Sequence, residues 1–317
     1  MRALAAIMGA LSLTLSPNWS ARAAFTDAQG DQRGGLVAAG FKRTYLLHVP
    51  AAYDGHDPLP LLIVLHGTSG QGGDAARITG FSAIADREGF LVVYPDSLVL
   101  PPGSGTFRWI VHDEEGYYDV VFIEALISHL EAQFTIAPGQ VYAAGMSNGG
   151  FFTYVLGCEM GSRLAAIATV IAGMERTVVH HCARTTPLPV LMITGTADLE
   201  VPMIGSALTL SSDEIRDFWL KMNGCSRDFS VQALPQTDSN RLMTTRLNAW
   251  THCNGDSEVL HYVMDGGDHS WPGYPIPWKK ATCEQVQDCP AARFSASETI
   301  WTFFKKHKGA GTITTGP

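Results

Sequence analysis

The sequence predicts an α/β fold, in which helices cover both faces of a mostly parallel β-sheet. Short, continuous apolar runs recur along the chain, as expected of strands that are buried on both faces. Segments with helical spacing of apolar residues alternate with these runs, and that order is typical of parallel sheets. The 317 residues are 46% apolar and 16% charged, an ordinary globular composition. We therefore expect one domain and assign it to residues 43–307.

The predicted elements follow one another with short connections. Strands are predicted at RTYLLHVP (43–50), LPLLIVLH (59–66), FLVVYPD (90–96), VYAAG (141–145), LAAIATVIAG (164–173), LPVLMITGTAD (188–198) and EVLHYVM (258–264). Helices are predicted at FSAIADREG (81–89), residues 119–134, residues 148–157, SDEIRDFWLKMNG (212–224) and SASETIWTFFKKH (295–307). Asp119 begins one of these helices, as the positive end of a helix dipole favours, and Gly224 closes another.

The two ends of the chain carry different signals. Met1 and Arg2 precede the apolar stretch ALAAIMGALSLTL, and SARA then ends at Ala23, a pattern typical of a signal peptide with its cleavage site. The stretch is shorter than the roughly 20 residues that span a bilayer, and no cysteine follows it to carry a lipid. We expect a secreted or periplasmic protein without a membrane anchor, cleaved near Ala23. Residues 24–42 are expected to form a loose N-terminal arm, and residues 308–317 a disordered tail.

Charge argues against two classes of partner. The formal net charge is −8, from 30 acidic and 22 basic residues. Because no basic excess is available to neutralise phosphates, nucleic acid is not an expected partner. The sequence also lacks a basic amphipathic segment that would bind a membrane surface. It leaves the oligomeric state open.

The six cysteines are an even number, and an exported protein would form disulfides from them. Their spacing alone allows many pairings. We predict nearest-neighbour pairing, because each bridge then closes one local loop: Cys158–Cys182, Cys225–Cys253 and Cys283–Cys289. The C-x-x-C pattern of zinc sites is missing, so no metal is expected.

Ser147 lies in the pattern G-x-S-x-G, between a predicted strand and a predicted helix. Such a serine can occupy a strained turn that lifts its hydroxyl above the sheet, and Gly145 and Gly149 leave room for that turn. Serine needs a base, and the base needs an acid to orient it. Asp198 and His269 each follow a predicted strand, and the order Ser–Asp–His is that of α/β-hydrolases. The sequence therefore predicts Ser147 as nucleophile, His269 as base and Asp198 as acid.

Other acids and two main-chain groups complete the predicted site. Asp96, Asp265 and Asp268 are rival acids, but the last two lie so near His269 in sequence that a loop role is expected for them. An oxyanion hole requires two backbone N–H groups. Asn148, directly after the nucleophile, and Thr68, in the loop after LLIVLHG, are expected to supply them.

The motifs LLIVLHG, GMSNGG, PVLMITGTADLEVP, FWLKMNGC and DHSWPG, in this order, resemble those of the secreted esterases that include polyhydroxybutyrate depolymerases, feruloyl esterases and acetylxylan esterases. The resemblance extends over residues 43–306. It implies an α/β-hydrolase fold, a triad of Ser147, Asp198 and His269, and no metal or organic cofactor. It also supports the first two disulfides.

Two departures from the family pattern bear on substrate rather than on the triad. Thr194 stands where the family often has a histidine, and Tyr118 replaces the first of two acids that often precede the helix at Asp119. Candidate substrate contacts are Trp271, Trp109, Tyr118 and His66, with Phe107 and Tyr117 as further aromatic residues. His66 is expected to shape the turn of the oxyanion hole rather than act as a base.

The predicted reaction is hydrolysis of a carboxylic ester through an acyl-enzyme. Feruloyl, acetylxylan and hydroxyalkanoate esters all fit the sequence. No appended polymer-binding module is recognised, so soluble oligomers are expected rather than crystalline granules. An acyltransferase would use the same residues but exclude water. A peptidase of this fold often carries an extra domain, for which the length leaves no room, and a non-catalytic binding protein usually loses a triad member.

Overall fold

The computed structural model describes residues 29–111, 117–182, 184–234, 244–273 and 294–309. The strands are β1 Gly30–Ala38, β2 Phe41–Val49, β3 Leu59–Leu65, β4 Leu91–Pro95, β5 Leu98–Val99, β6 Phe107–Arg108, β7 Ile136–Met146, β8 Ala166–Val170, β9 Val190–Gly195, β10 Ser230–Ala233, β11 Thr244–Trp250 and β12 Val259–Asp265. The helices are α1 Gly72–Thr79, α2 Phe81–Glu88, α3 Tyr118–Glu131, α4 Asn148–Glu159, α5 Arg176–His181, α6 Ser212–Met222 and α7 Ala296–Phe304.

Ten strands form one sheet in the order β1-β2-β4-β3-β7-β8-β9-β12-β11-β10. Its central six strands, from β4 to β12, run parallel to one another. Two antiparallel strands extend it at each edge. The predicted α/β fold is confirmed, and it is that of the α/β-hydrolases. All catalytic candidates that follow a central strand therefore lie at one end of the sheet.

Helices bury apolar side chains against both faces of the sheet, as the continuous apolar runs predict. In β3, Leu61, Ile63 and Leu65 face one side and Leu62 and Val64 the other. The first face packs on α3, α4 and α6, through side chains that include Phe122, Phe152 and Trp219. The second packs on α2 and α7, through side chains that include Phe81 and Phe304. Such two-sided burial is what holds the central strands in place.

The loose arm predicted for residues 24–42 is wrong over Gly30–Ala38, which form β1. This strand pairs along its whole length with β2, and Ala39 and Gly40, both with positive φ, make the tight turn between them. Positions along the strand alternate between exposed and half-buried, with Asp31 and Arg33 exposed and Leu36 half-buried. Gly34 lies against the ring of Tyr45, where an added Cβ would come within 2.2 Å. Gly34 thus serves close packing rather than looseness.

Two predicted disulfides fall on described residues. The structure joins Cys158 to Cys182 and Cys225 to Cys253. The third predicted pair, Cys283–Cys289, lies outside the described residues, as do the predicted signal peptide and nearly all of the predicted tail. Within the described ranges, no helix is both long and apolar enough to cross a membrane.

Candidate active site

Ser147 occupies a strained turn between β7 and α4. Its φ of 50° and ψ of −128° lie in a region that side chains rarely adopt. We call residues 145–150 the nucleophile elbow. A Cβ on Gly145 would lie 2.3 Å from the carbonyl oxygen of Gly149, and a Cβ on Gly149 would lie 2.4 Å from that of His66. Glycine at these two positions therefore lets α4 approach β3 and β7 closely enough to form the turn.

The loops after β9 and β12 meet beside this elbow. The two strands are parallel neighbours, so the residues that follow them emerge side by side. The Thr196 N–H donates to the Met264 carbonyl oxygen at 3.0 Å, and the Ala197 N–H donates to that of Gly267 at 2.9 Å. A Cβ on Gly195 would lie 2.3 Å from the Gly267 oxygen. Close backbone contact thus fixes where the two loops can place Asp198 and His269.

His269 connects Asp198 to Ser147. Its Nδ1 lies 2.8 Å from Asp198 Oδ2, and its Nε2 lies 3.0 Å from Ser147 Oγ. A carboxylate only accepts, so Nδ1 carries the proton and the lone pair of Nε2 faces the serine hydroxyl. Asp198 is nearly buried, and its Oδ1 accepts from the N–H groups of Glu200 and Val201, each at 2.9 Å. The carboxylate is therefore held by three donors, one of them the His269 ring.

The three rival acids are engaged elsewhere. Asp96 accepts from the Gly72 N–H at 2.7 Å and from the Thr44 hydroxyl at 2.6 Å. Asp265 accepts from the Thr244 hydroxyl, and Asp268 from the Ser270 hydroxyl. Of the four acids, it is Asp198 whose carboxylate lies 2.8 Å from Nδ1 of the His269 ring.

Two main-chain segments border the Ser147 hydroxyl. Asn148 is the first residue of α4, so its N–H has no partner within the helix. On the other side, an added Cβ on Gly67 would lie 3.4 Å from the Cβ of Ser147, which shows how closely the loop carrying Thr68 passes the nucleophile. This loop is tied down, because the Ser69 N–H donates to Phe107 O at 2.7 Å and the Gly70 N–H to Gly67 O at 3.1 Å.

His66 supports that loop from below and is buried, with 1% of its surface exposed. The Ser97 N–H donates to its Nε2 at 3.1 Å, so Nδ1 is the protonated nitrogen and donates to the Gly67 carbonyl oxygen at 2.7 Å. Burial lowers the pKa of His66, in keeping with this neutral form. The direct substrate contact predicted for His66 is wrong because its ring is inaccessible, whereas its expected effect on the turn fits these bonds.

Trp109 is a core residue rather than the predicted substrate contact. Its exposure is 0%, and its ring stacks on Phe152 with centroids 5.1 Å apart. The indole N–H donates to the carbonyl oxygen of His66 at 3.0 Å. The sequence places Trp109 near other aromatic residues but does not indicate that the ring points inward.

Trp271 also differs from the predicted contact, whereas Tyr118 remains accessible. Trp271 is 3% exposed, packs edge-on against Phe81 and donates from its indole to Ser297 Oγ at 3.0 Å. Two residues after the base, the chain has already turned into the core. Tyr118 is exposed and its ring packs edge-on against Phe41 of the N-terminal hairpin, so its contact with substrate stays a prediction. Phe107 is half-buried in β6, and Tyr117 is exposed just before α3.

Sequence reasoning missed the role of the Asn148 side chain. Its Oδ1 accepts from the Trp109 N–H at 2.7 Å, and its Nδ2 donates to the Trp109 carbonyl oxygen at 3.2 Å. The paired bonds fix the start of α4 against the segment that follows β6. An amide directly after a nucleophile is the signal that could have suggested this clamp.

A buried ion pair, also missed, holds the next part of that segment. Arg43 Nη2 donates to Asp119 Oδ1 at 2.6 Å, and the Ile110 N–H donates to Asp119 Oδ2 at 2.8 Å. Burial raises the pKa of Asp119, while the Arg43 charge and the Ile110 N–H oppose that rise. An arginine near the start of an apolar strand and an acid near the start of an apolar helix each suggest a buried charge, but neither indicates its partner.

The loop from Asp198 to α6, residues 198–211, is here called the acid loop. After the buried Asp198 it exposes large apolar side chains to solvent, Leu199 at 89%, Ile204 at 86% and Leu208 at 73%. Its backbone is nonetheless fixed, since the Leu210 N–H donates to Met174 O at 2.8 Å and the Arg176 N–H to Leu208 O at 3.0 Å. Exposed apolar side chains on an ordered loop that begins at Asp198 are available for contact with another molecule.

Metal-ligating side chains do not cluster in the part of the chain that the structure describes, where no three His, Cys, Asp or Glu residues come together. The four described cysteines are all in disulfides.

The chain is similar to known esterases in sequence and in fold. The family described as Esterase PHB depolymerase matches residues 43–212. The bifunctional acetylxylan esterase/xylanase XynS20E of Neocallimastix patriciarum is 30% identical over 71% of this chain, which spans only 31% of that enzyme. Feruloyl esterase C of Emericella nidulans is 25% identical over 73% of this chain and 77% of its own. The acetyl xylan esterase from Aspergillus awamori shares the fold, with a TM-score of 0.57 and 16% identity over 79% of this chain and 97% of its own.

Proposed function

Since the chain belongs to the esterase PHB depolymerase family and is a carboxylic ester hydrolase, we propose that it works as a serine esterase with a covalent acyl-enzyme. Ser147 is the nucleophile, His269 the general base and Asp198 the acid that orients the base. One observation carries the proposal: the His269 ring contacts Asp198 at 2.8 Å and Ser147 at 3.0 Å, through opposite nitrogens.

In the first step, Ser147 Oγ attacks the ester carbonyl carbon while His269 Nε2 takes the hydroxyl proton. The resulting imidazolium is stabilised by the Asp198 carboxylate, which stays ionised. Nε2 then gives the proton to the alcohol oxygen as its bond to the carbonyl carbon breaks. In the second step, water attacks the carbonyl carbon of the acyl-enzyme and loses a proton to Nε2. Nε2 returns this proton to Ser147 Oγ as the bond between Oγ and the carbonyl carbon breaks, and the carboxylic acid leaves.

The carbonyl oxygen gains negative charge in both steps. We propose that the N–H groups of Asn148 and Thr68 stabilise it. The strained Ser147 turn, the Asn148 clamp and the fixed loop after β3 support this proposal, because each limits movement of one of the two donors. Donors that are already in position need no reorganisation when the charge develops.

For the substrate we propose two classes. The names of the relatives suggest plant cell-wall esters, and the family description suggests hydroxyalkanoate oligomers. Neither sequence departure bears on the triad. The Thr194 hydroxyl contacts the buried His261 at 2.8 Å, and Tyr118 packs on Phe41. The exposed apolar side chains of the acid loop favour an apolar group on the ester. We also propose export, which the two disulfides support because such bonds persist in oxidising compartments.

The test is the initial rate of the purified protein and of Ser147→Ala on methyl ferulate, acetylated xylan, p-nitrophenyl butyrate and soluble 3-hydroxybutyrate oligomers. We expect hydrolysis of at least one ester, reduced about 10⁶-fold by the substitution. Labelling of Ser147 by an active-serine probe reports the nucleophile independently. Equal rates for both proteins would contradict the mechanism. Acyl transfer to an added alcohol in preference to water would favour an acyltransferase.

A further inference from the structure

Glu200 carries a carboxylate beside the reacting atoms but is not a member of the triad. Its Oε2 lies 3.6 Å from Nε2 of His269, and its side chain is 75% exposed. Its backbone is fixed, because its N–H donates to Asp198 Oδ1 at 2.9 Å. Among the described residues, Glu200 forms an ion pair with His269 alone. The negative charge is therefore close to Nε2 and open to whatever occupies the site.

The position of Nε2 determines which part of a substrate would meet this carboxylate. In the proposed mechanism Nε2 gives its proton to the departing alcohol oxygen, and this transfer requires that oxygen to come within hydrogen-bond distance. The carboxylate of Glu200 then lies within about 7 Å of the same oxygen. The groups attached to the alcohol, rather than the alcohol oxygen alone, are within reach of its charge.

We propose that Glu200 determines the specificity for the alcohol part of the ester, an inference that rests on the proposed function. Glu200 favours neutral alcohols that carry further hydroxyl groups, and it disfavours alcohols with a carboxylate near the ester oxygen. A hydroxyl group can donate to Glu200, and such a charge-assisted hydrogen bond is stronger than a neutral one. A carboxylate on the alcohol instead meets a like charge.

The two proposed substrate classes differ in this respect. A sugar esterified at one hydroxyl carries neighbouring hydroxyls and no charge. In a linear hydroxyalkanoate oligomer, the alcohol of the last ester is a hydroxy acid whose free carboxylate lies a few bonds from the ester oxygen. Glu200 thus favours sugar esters, or the internal esters of an oligomer, over that last ester.

The experiment uses one ester with its charge present or masked: the linear 3-hydroxybutyrate dimer as the free acid and as its methyl ester. Cleavage of the bond between the two units is followed by chromatography, and the readout is the ratio of kcat/KM, methyl ester over acid. At low salt we expect a ratio of about 10 for the wild-type protein. For Glu200→Gln, which removes one charge at nearly constant shape, the ratio should fall by most of that factor. Raising the salt to about 1 M should lower the wild-type ratio as well, because exposed charges are screened.

Glu131→Gln is the matched control. It removes the same charge from the last residue of α3, on a half-exposed side chain paired with Arg163, and its ratio should equal that of the wild-type protein. Equal ratios for Glu200→Gln and the wild-type protein, with both active, would overturn the inference and leave the proposed function intact. Loss of Ser147-dependent cleavage of every ester tested would overturn the proposed function, and with it this inference.

Discussion

The nucleophile elbow and the acid loop lie on either side of the same histidine, yet they are built in opposite ways. In the elbow, Gly145, Gly149 and Gly150 each leave no space for a Cβ, which would meet a neighbouring atom at 2.4 Å or less. In the acid loop, Leu199, Ile204 and Leu208 extend into solvent from a hydrogen-bonded backbone. The elbow can vary little without losing its shape, whereas the loop can exchange side chains without changing its path. We infer that the elbow fixes the reaction and the loop adjusts the substrate.

Apart from replacement of the nucleophile itself, the largest expected effect comes from Asp198, the one buried residue of the acid loop. Asp198→Asn keeps the size of the side chain but offers an amide that can donate to His269, which favours the wrong tautomer. We expect kcat to fall by about 10⁴-fold, with little change in KM. Steady-state kinetics on p-nitrophenyl butyrate measure this. A loss in kcat of less than tenfold would mean that another acid orients the base and that Asp198 is not the functional residue of the acid loop.

A methyl group in the elbow should cost stability as well as activity. In Gly149→Ala the added Cβ would meet the carbonyl oxygens of His66 and Leu65, which are backbone atoms and cannot swing aside. We expect the free energy of unfolding to fall by about 3 kcal/mol, measured by urea denaturation. The control is Gly73→Ala in α1, where the nearest atom to the new Cβ is a side-chain nitrogen of Arg33 at 3.9 Å. That change should be neutral or slightly stabilising. Equal losses for both variants would mean that the elbow is not unusually tight.

The sheet below the acid loop should give stability a dependence on pH. The pKa of His261 is lowered to about 4. Burial is the largest cause, the charges of Arg216 and Arg246 add to it, and the charge of Asp213 opposes it. His261 therefore binds a proton near pH 6.5 in the unfolded chain but only near pH 4 in the folded chain. Stability from this residue is present above pH 6.5 and is lost as the pH falls towards 4, by up to about 3 kcal/mol.

Urea denaturation of the wild-type protein and of His261→Gln at several pH values measures this contribution. The variant should lose part of the slope between pH 4 and 6.5, and the remainder comes from other groups, His66 among them, whose pKa is also lowered. Parallel curves for the two proteins would show that His261 takes up its proton equally easily in the folded and unfolded chains.

The contrast between the two regions also explains what the sequence could predict. Strand ends, glycines and chain order predict which residues meet at the sheet edge, so Ser147, Asp198 and His269 could be chosen before their contacts were known. The direction of a side chain depends on packing between distant segments. Trp109 turns into the core because Phe152 and the His66 carbonyl receive it there. The pairing of Arg43 with Asp119, 76 positions apart, depends on packing in the same way, and no local pattern encodes it.

The smallest expected effect tests the exposed half of the comparison. Ile204→Ser and Leu208→Ser remove side chains that are 86% and 73% exposed, so the free energy of unfolding should change by no more than about 0.5 kcal/mol. If the loop adjusts the substrate, kcat/KM should fall by about threefold to tenfold for esters with long apolar groups, since burying a leucine-sized side chain contributes at most about 3 kcal/mol. For p-nitrophenyl acetate, kcat/KM should hardly change.

Val37→Ser is the control. It also removes an exposed apolar side chain (69% exposed), but from the edge strand β1. If Val37→Ser weakened long esters as much as the loop variants do, the effect would belong to the surface in general. A large loss of stability in the loop variants would show instead that the loop depends on these side chains, and the distinction between a fixed elbow and an adjustable loop would not hold.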